Sequence, residues 1–301
     1  MIPLHYAPDV QAAKDAGTAI VALESTIITH GMPYPQNVQT ARLVEDDIRA
    51  GGATPATIAL INGALHIGLT DAQLDALGQA KNVAKLSRAD IAACIATGGT
   101  GATTVAATMI AAHLADIHVF ATGGIGGVHK GAETTFDISA DLYELAQTPV
   151  IVVAAGAKAI LDLEKTYEVL ETLGVPVIAY GQDTLPAFWS GASNLPAPLR
   201  MDRAADIAAA HKMRVAMGLP GGQLVANPIP QDAQIPAETL APIIAQALAE
   251  ADTQGIAAKA VTPFLLGRIF ELTDGASLTA NIALVRNNAR LAAQIAGSLI
   301  S

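Results

Sequence analysis

The sequence predicts an α/β protein in which a mainly parallel sheet is covered by helices. Short apolar runs alternate along the chain with longer segments of helical periodicity, and the strongest runs are apolar on both faces. Of the 301 residues, 51% are hydrophobic but only 4% are aromatic, so Ala, Val, Ile and Leu must fill the core. We expect a single domain over residues 1–301.

The first half of the chain supplies four predicted strands before the longest glycine-rich loop. TAIVALEST predicts a strand, and TPATIALINGALHIGL predicts a strand and a turn. DIAACIATGG and IHVFATGG predict further strands. The helices between them are predicted in NVQTARLVEDDIRAGG, in TDAQLDALGQA with Thr70 as N-cap, and in GATTVAATMIAAHLAD.

The second half continues the alternation and ends in helices. PVIVVAAGAK predicts the clearest buried strand and AILDLEKTYEVLETLG the clearest helix, followed by a strand in VPVIAYG. LPAFWSGASNLPAPLRMD predicts a long loop, of a kind that often acts as a lid or binding loop. A strand in GGQLVANPIP and two long helices, in PAETLAPIIAQALAEADTQG and SLTANIALVRNNARLAAQIAGSL, complete the pattern.

Charge and composition narrow the class of function. The formal net charge of −10 disfavours binding to nucleic acid, although backbone N–H groups and one lysine could still hold a small phosphorylated substrate. No apolar run approaches the roughly 18 residues of a membrane helix, and no signal peptide is visible. The one cysteine, Cys94, permits no disulfide within the chain and is typical of a small core residue. We expect a cytoplasmic protein with no membrane partner.

The residues that follow the apolar runs are candidates for a site. Parallel α/β sheets bind ligands outside the carboxyl ends of their strands. Glu24 follows AIVAL, Lys158 follows VIVVAAGA, and the loops TGGTGATT and TGGIGGVHKGAETTFDISAD follow two other predicted strands. We expect these four segments to meet at one edge of the sheet. Glu24 either ends its strand in water or is held at the mouth of a site.

Each candidate also has a purely structural interpretation. The glycines either let the backbone approach an anion at a helix N-terminus or form tight turns. Lys158 at the end of an apolar strand is a nucleophilic amine or a solvated lysine. The carboxylates of Asp137 and Asp141 suit Mg²⁺ or Mn²⁺, whereas Ser139 or Asp141 could cap the next helix. No Cys/His cluster indicates zinc, and a lone loop histidine such as His30 is usually solvated.

Taken together, these segments resemble the pseudouridine-5'-phosphate glycosidase family along nearly the full chain. The resemblance implies a three-layer α/β/α fold, a homotrimer and a divalent metal ion, typically one Mn²⁺ per subunit. It also implies the reversible conversion of pseudouridine 5'-phosphate and water into uracil and ribose 5-phosphate. The matching stretches are ALESTIITHGMPYPQN, NVAKLSRADI, TGGTGATTVAATM, VFATGGIGGVHKGAETTFDISADL, VVAAGAKAILDL, GVPVIAYGQDTLPAFW, VTPFLLGRI and SLTANIALVRNNARLAAQIA.

The resemblance also implies roles for individual residues. Glu24 resembles the proton donor, Lys158 the nucleophile and Asp137 the metal ligand, with Asn281 and His129 as further catalytic residues. The positions that resemble the substrate-binding set are Lys85, Val105, Ser139, Ala140 and Asp141. The chain departs from the expected family pattern at Ala258, Ala260 and Lys130, where glycine, glutamate and arginine are expected.

The chemistry explains why these residue types are needed. The bond to be broken joins the sugar to C5 of uracil, so no heteroatom leaves and the scheme with two carboxylates does not apply. An acid can instead open the ribose ring, and a lysine can capture C1' as a Schiff-base adduct. Two alternatives keep parts of this interpretation: a Schiff-base aldolase or lyase for another sugar phosphate, and a non-catalytic protein that binds sugar phosphates.

Overall fold

An eleven-stranded sheet forms the centre of the computed structural model, which describes residues 2–256 and 261–300. The strands are β1 (Leu4–Tyr6), β2 (Ile20–Leu23), β3 (Thr54–Ile61), β4 (Ala64–Ile67), β5 (Ala84–Leu86), β6 (Gly101–Thr103), β7 (Val119–Ala121), β8 (Ile151–Ala154), β9 (Val177–Tyr180), β10 (Leu199–Met201) and β11 (Gln223–Ala226).

Helices connect most of these strands. They are α1 (Pro8–Ala16), α2 (Gln36–Ala50), α3 (Asp71–Gln79), α4 (Ile91–Ala96), α5 (Val105–Leu114), α6 (Ala132–Thr135), α7 (Ala140–Gln147), α8 (Leu163–Thr172), α9 (Ala204–Ala216), α10 (Ala237–Thr253), α11 (Val261–Leu272) and α12 (Ala276–Ile300). A π-helical turn over Ile27–Gly31 follows β2. In the described part of the chain, no helix combines the length and the apolar character needed to cross a bilayer.

The strand order confirms the predicted, mainly parallel sheet. Along the sheet the order is β1-β4-β3-β2-β7-β8-β11-β9-β10, and β6 and β5 extend from β3. Within the described residues, β3 pairs antiparallel with β4 and β6, and the other pairs are parallel. All four residues of β8 are fully buried, as a strand apolar on both faces requires.

Helices on the two sides of the sheet complete the three-layer α/β/α fold. Helix α12 packs along β2, β7 and β8 and contacts α2 and α9. Helix α5 packs on β2, β3 and β7 and contacts α7. Small side chains on both long helices allow this close approach, because Ala106, Ala107, Ala292 and Ala293 are all buried. The predicted fold class is therefore confirmed, whereas the single domain over residues 1–301 stays a prediction.

Local sequence signals account for several element boundaries. Thr70 and Gln73 form a capping box at the start of α3, with the Thr70 hydroxyl accepting from the backbone N–H of Gln73. Asn62 and Gly63, both with positive φ, join β3 to β4 as a tight hairpin. The Asp162 side chain accepts from the backbone N–H of Lys165 and caps α8.

The strand predicted over DIAACIATGG is wrong, because Ile91–Ala96 form helix α4. A short apolar run does not distinguish a strand from a buried helical turn, and its three alanines favour the helix. The next helix also begins later than predicted, since Gly101–Thr103 form β6. Strands β1, β4, β5 and β10 and helices α1, α6 and α11 were not predicted. Ala258 and Ala260 lie outside the described residues.

Candidate active site

A cavity of about 390 Å³ opens at the carboxyl ends of β2, β7 and β8. The predicted convergence of strand ends is thus observed. The loop before Val105 follows β6, however, and not the strand that was predicted over residues 91–96. The structure brings together all ten residues that the sequence singled out, while their roles stay predictions. The residues are Glu24, Lys85, Val105, His129, Asp137, Ser139, Ala140, Asp141, Lys158 and Asn281.

Glu24 is held against the cavity wall by two hydroxyl groups. Its side chain leaves the backbone directly after β2. Thr26 Oγ1 and Thr122 Oγ1 each donate a hydrogen bond to a different oxygen of the Glu24 carboxylate. Thr122 is buried and follows β7, the parallel neighbour of β2. Glu24 is therefore fixed at the site and does not simply end its strand in water.

A buried amide network supports the segment that carries Thr122. Asn288 on α12 donates from Nδ2 to the carbonyl oxygen of Thr122 at 2.8 Å. Asn227, which follows β11, donates from Nδ2 to Oδ1 of Asn288 at 3.0 Å. Both asparagines are almost completely buried. The sequence analysis missed this network, although Asn288 in the apolar periodicity of α12 is a signal for a buried polar contact.

Lys158 reaches the cavity from the turn after β8. Its backbone N–H donates to the carbonyl oxygen of Ile125 at 3.1 Å, which ties the turn to the glycine-rich loop. No carboxylate or hydrogen-bond acceptor contacts its ammonium group within residues 2–256 and 261–300, so the amine is available to a ligand. The backbone N–H of Ala157 donates to the hydroxyl of Tyr167 at 3.5 Å. Burial raises the pKa of Tyr167 to about 12, so this phenol stays protonated.

Glycine is required at two positions of the glycine-rich loop, because other side chains of the site pack closely against the backbone there. A Cβ at Gly126 would overlap Oγ of Ser139, and one at Gly124 would lie 2.6 Å from Cε2 of Phe188. Larger residues at either position would push the loop into the cavity. The glycines therefore allow a close approach between segments of the site, whereas an approach of their backbone to an anion stays a prediction.

Asp141 acts as a clamp between two segments of the site. Its Oδ1 accepts from the backbone N–H of Ala106 at 2.9 Å, and its Oδ2 accepts from that of Gly126 at 2.8 Å. Asp141 is 6% exposed, so both bonds are removed from solvent. Ser139 Oγ accepts from the backbone N–H of Asp141 at 3.2 Å, which makes Ser139 the N-cap of α7.

Two helix N-termini meet at this clamp and face the cavity. The first backbone N–H groups of a helix have no partner within the helix, and they favour an anion. Asp141 and Thr104 take up the N–H groups of Ala106 and Ala107 in α5. Val105, the first residue of α5, is buried and lines the cavity. Lys85 on β5 adds a positive charge to the same wall.

Two histidines line the cavity in conditions that favour the neutral ring. Burial is the main cause of the lowered pKa of His129, and the charges of Lys158 and Lys85 lower it further against the opposing charge of Asp137. Burial also lowers the pKa of His30, again with the help of Lys85. Both lowered pKa values favour the neutral imidazole near pH 7.

Asp137 offers an open, single carboxylate. Its Oδ2 lies 3.9 Å from Nδ1 of His129, and its side chain is 42% exposed. In the described residues, no three His, Cys, Asp or Glu side chains cluster closely enough to hold a metal ion by themselves. One carboxylate with water and substrate oxygens is nevertheless a common environment for small divalent ions.

The remaining wall comes from the long loop after β9, which was predicted as a lid or binding loop, and from α11, which was not predicted. Phe188, 4% exposed, lines the cavity from the long loop after β9, so the start of this loop packs into the wall of the site. Thr262, Pro263 and Leu266 of α11 close another side. Periodicity alone cannot reveal this role, because it depends on how α11 packs in the fold.

Comparison with known proteins places the chain among close relatives. Residues 9–298 match the family described as "Indigoidine synthase A like protein". The chain is similar to the pseudouridine-5'-phosphate glycosidase of Jannaschia sp. (strain CCS1), with 72% identity over 298 residues that cover 99% of each chain. The protein of the same name from Roseobacter denitrificans is 73% identical over 300 residues, which cover 100% of this chain and 97% of the relative.

Two solved structures share the fold over nearly the whole chain. The prealnumycin C-glycosynthase AlnA in complex with ribulose 5-phosphate has a TM-score of 0.91 and 38% identity, over 99% of this chain and 97% of that one. The indigoidine synthase A-like protein of Thermotoga maritima has a TM-score of 0.91 and 30% identity, over 100% of this chain and 97% of that one.

Proposed function

The chain belongs to the family of indigoidine synthase A like proteins and pseudouridine-5'-phosphate glycosidases, and we propose that it reversibly cleaves the C–C glycosidic bond of pseudouridine 5'-phosphate. The products are uracil and ribose 5-phosphate. The observation that carries the proposal is the single cavity in which Glu24, Lys158 and two helix N-termini face the same space. An acid, an amine and an anion site are what this reaction requires.

The phosphate group binds where α5 and α7 begin. Val105, Ala140 and Lys85 all line the cavity there, so the two backbone N–H groups and the ammonium group are the candidate donors to the phosphate. Asp141 keeps the two helix N-termini together through its bonds to Ala106 and Gly126. The phosphate thereby anchors the sugar with C1' within reach of Lys158.

Glu24 opens the ribose ring. Its protonated carboxyl group gives a proton to the ring oxygen O4', and the C1'–O4' bond breaks to leave a 4'-hydroxyl group. Nζ of Lys158, as the neutral amine, forms a bond to C1' and releases a proton. The hydroxyl groups of Thr26 and Thr122 can donate to the carboxylate or accept from the acid, so they hold Glu24 in both protonation states.

The carbon–carbon bond breaks in the second stage. C5 of the base takes up a proton, the lone pair of the lysine nitrogen forms a C=N bond to C1', and the electrons of the C1'–C5 bond return to the pyrimidine ring. Uracil leaves, and a water molecule adds to C1' of the iminium. Collapse of this adduct releases ribose 5-phosphate and the free amine of Lys158. The neutral His129 beside Lys158 is a candidate for moving these protons.

The proposal also includes a bound manganese ion, a homotrimeric assembly and a cytoplasmic location. The carboxylate of Asp137 is a hard oxygen ligand that fits Mn²⁺, and the bound ion supplies positive charge near substrate oxygens. Exposed apolar side chains at the end of α9, Met213, Val215 and Met217, offer surface for contacts in a homotrimer. We place the enzyme in the cytoplasm, where its nucleotide substrate would be found.

Synthesis of the nucleotide tests the proposal directly. The purified protein is incubated with uracil, ribose 5-phosphate and Mn²⁺, and pseudouridine 5'-phosphate is measured by chromatography and mass spectrometry. Wild type should form it, and a Lys158→Ala variant should not. Turnover of a different sugar phosphate with no use of uracil would instead indicate an aldolase, and ligand binding without turnover would indicate a binding protein.

A further inference from the structure

The one tryptophan of the chain makes a directed polar contact with the wall of the cavity. Trp189 is 1% exposed, and its Nε1 donates a hydrogen bond of 2.7 Å to Oδ1 of Asn281. Asn281 lies near the start of α12 and lines the cavity. The bond therefore connects the loop after β9 to a side chain that lines the cavity.

The chemistry of the indole ring determines the orientation of this amide. An indole N–H donates a hydrogen bond and accepts none, so Asn281 must present its oxygen to Trp189. The Nδ2 group is then left on the other side of the amide. Within residues 2–256 and 261–300, no acceptor contacts Nδ2 of Asn281. The two hydrogens on Nδ2 are thus available to an oxygen atom of a ligand in the cavity.

The segment around Trp189 is tied down through its backbone, and the indole ring packs against a second aromatic ring. The backbone N–H of Ile235 donates to the carbonyl oxygen of Trp189 at 2.8 Å, and Ser190 Oγ donates to that of Ile235 at 2.7 Å. The ring of Phe188 packs edge-on against Trp189 with ring centroids 5.0 Å apart. Because the backbone of this segment is tied down and the ring packs against Phe188, we expect the indole N–H to hold the amide of Asn281 in one favoured orientation.

We propose that Trp189 is a positioning residue that holds Nδ2 of Asn281 toward an oxygen acceptor of the bound substrate. The acceptor is a carbonyl oxygen of the pyrimidine or a hydroxyl oxygen of the sugar. This inference rests on the proposed function for the identity of the substrate. Without the indole N–H, the amide can rotate and present its oxygen to the ligand, which repels another oxygen. A hydrogen bond of about 1 kcal/mol corresponds to a roughly fivefold change in kcat/KM.

The bond between Trp189 and Asn281 can be tested without substrate. Since the chain has one tryptophan, its fluorescence reports on this indole alone. Asn281→Leu removes the acceptor, so emission should move to shorter wavelength. Asn281→Asp keeps an acceptor oxygen, so emission should stay close to that of wild type. Equal spectra for the Leu variant and wild type would overturn the inference, whatever reaction the enzyme catalyses.

The positioning role is tested by kinetics. Trp189→Phe keeps an aromatic ring and removes the donor, and kcat/KM should fall about fivefold. In an Asn281→Leu background the same change should cost nothing further, because there is no amide left to orient. Circular dichroism shows whether each variant is folded. Tyr6→Phe, which removes a donor from an aromatic residue at the sheet edge, serves as the control and should retain full activity. Equal losses from Trp189→Phe in both backgrounds would indicate packing alone and overturn the inference.

Ligand titrations identify the acceptor. Ribose 5-phosphate and uracil are added separately to wild type and to Asn281→Asp while tryptophan emission is recorded. The ligand that uses Nδ2 should bind at least fivefold more weakly to the Asp variant. Unchanged affinity for both ligands would contradict the inference. If wild type forms no pseudouridine 5'-phosphate, the proposed function is wrong. The fluorescence of the ligand-free variants still shows whether the hydrogen bond between Trp189 and Asn281 exists.

Discussion

Replacing Asp141 with asparagine should loosen the phosphate end of the site. In wild type the carboxylate accepts the backbone N–H of Ala106 at 2.9 Å and that of Gly126 at 2.8 Å, and Asp141 is 6% exposed. Asparagine retains one acceptor oxygen, but its NH₂ group then faces the other backbone N–H. One charge-assisted hydrogen bond is lost and one buried donor is left without a partner.

The magnitude follows from these two bonds. Hydrogen bonds to charged groups contribute roughly 1.5–3 kcal/mol each, so the loss of one lowers the free energy of unfolding by about 2–3 kcal/mol. For a chain of this size that corresponds to a fall in Tm of roughly 5 °C. The N-termini of α5 and α7 also lose their common anchor, so KM for ribose 5-phosphate should rise about tenfold.

Thermal unfolding and steady-state kinetics measure both effects. Asp183→Asn is the matched control, because the Asp183 side chain is 83% exposed in a surface ion pair with Arg200. The same chemical change there should alter stability by less than about 0.5 kcal/mol. A folded Asp141→Asn variant with the Tm and the KM of wild type would refute the claim that Asp141 holds the two segments of the site together.

Three further predictions concern other parts of the molecule. Thr122→Val removes a hydroxyl that holds Glu24, so kcat should fall about tenfold. Thr122→Ser keeps the hydroxyl and should retain the activity of wild type. An unchanged kcat in the Val variant would contradict the role of Thr122. Burial, with His118 and Arg214 nearby, lowers the pKa of His211 to about 4 from an ordinary value of 6.5. Between these two pH values the folded state binds fewer protons than the unfolded state. The free energy of unfolding therefore falls as the pH drops from 6.5 to 4. Denaturant unfolding of His211→Phe should show a smaller loss of stability over that range, and an identical pH profile would argue against the buried neutral ring. Asp137→Ala should raise the Mn²⁺ concentration needed for half-maximal activity at least tenfold, and an unchanged requirement would place the metal elsewhere.

The site could be predicted from the sequence to the extent that it depends on strand ends. Glu24 and Lys158 each follow a run whose apolar character identifies a buried strand, and the parallel arrangement brings such ends to one edge. The family resemblance then supplied roles for positions with no local signal, such as Val105. The prediction failed at Ile91–Ala96, where a short alanine-rich run has no periodicity that separates helix from strand.

The partners in long-range polar contacts could not be predicted from the sequence. The partners Asn227 and Asn288 are 61 residues apart, and Trp189 and Asn281 are 92 residues apart. No spacing rule relates such residues, since only the packing of α12 on the sheet brings them together. The contacts of Asp141 could not be predicted either. Its carboxylate was a candidate metal ligand in the sequence, but in the fold it accepts hydrogen bonds from two backbone N–H groups.

The central claim is that the amine of Lys158 forms a covalent adduct with the sugar. Borohydride reduction in the presence of ribose 5-phosphate converts such a Schiff base into a stable secondary amine, which peptide mass spectrometry can locate. We predict one modified lysine per chain, at Lys158, and no modification in a Lys158→Arg variant. Labelling of Lys85 or Lys130 in place of Lys158, or no label under conditions in which the enzyme turns over, would contradict the account.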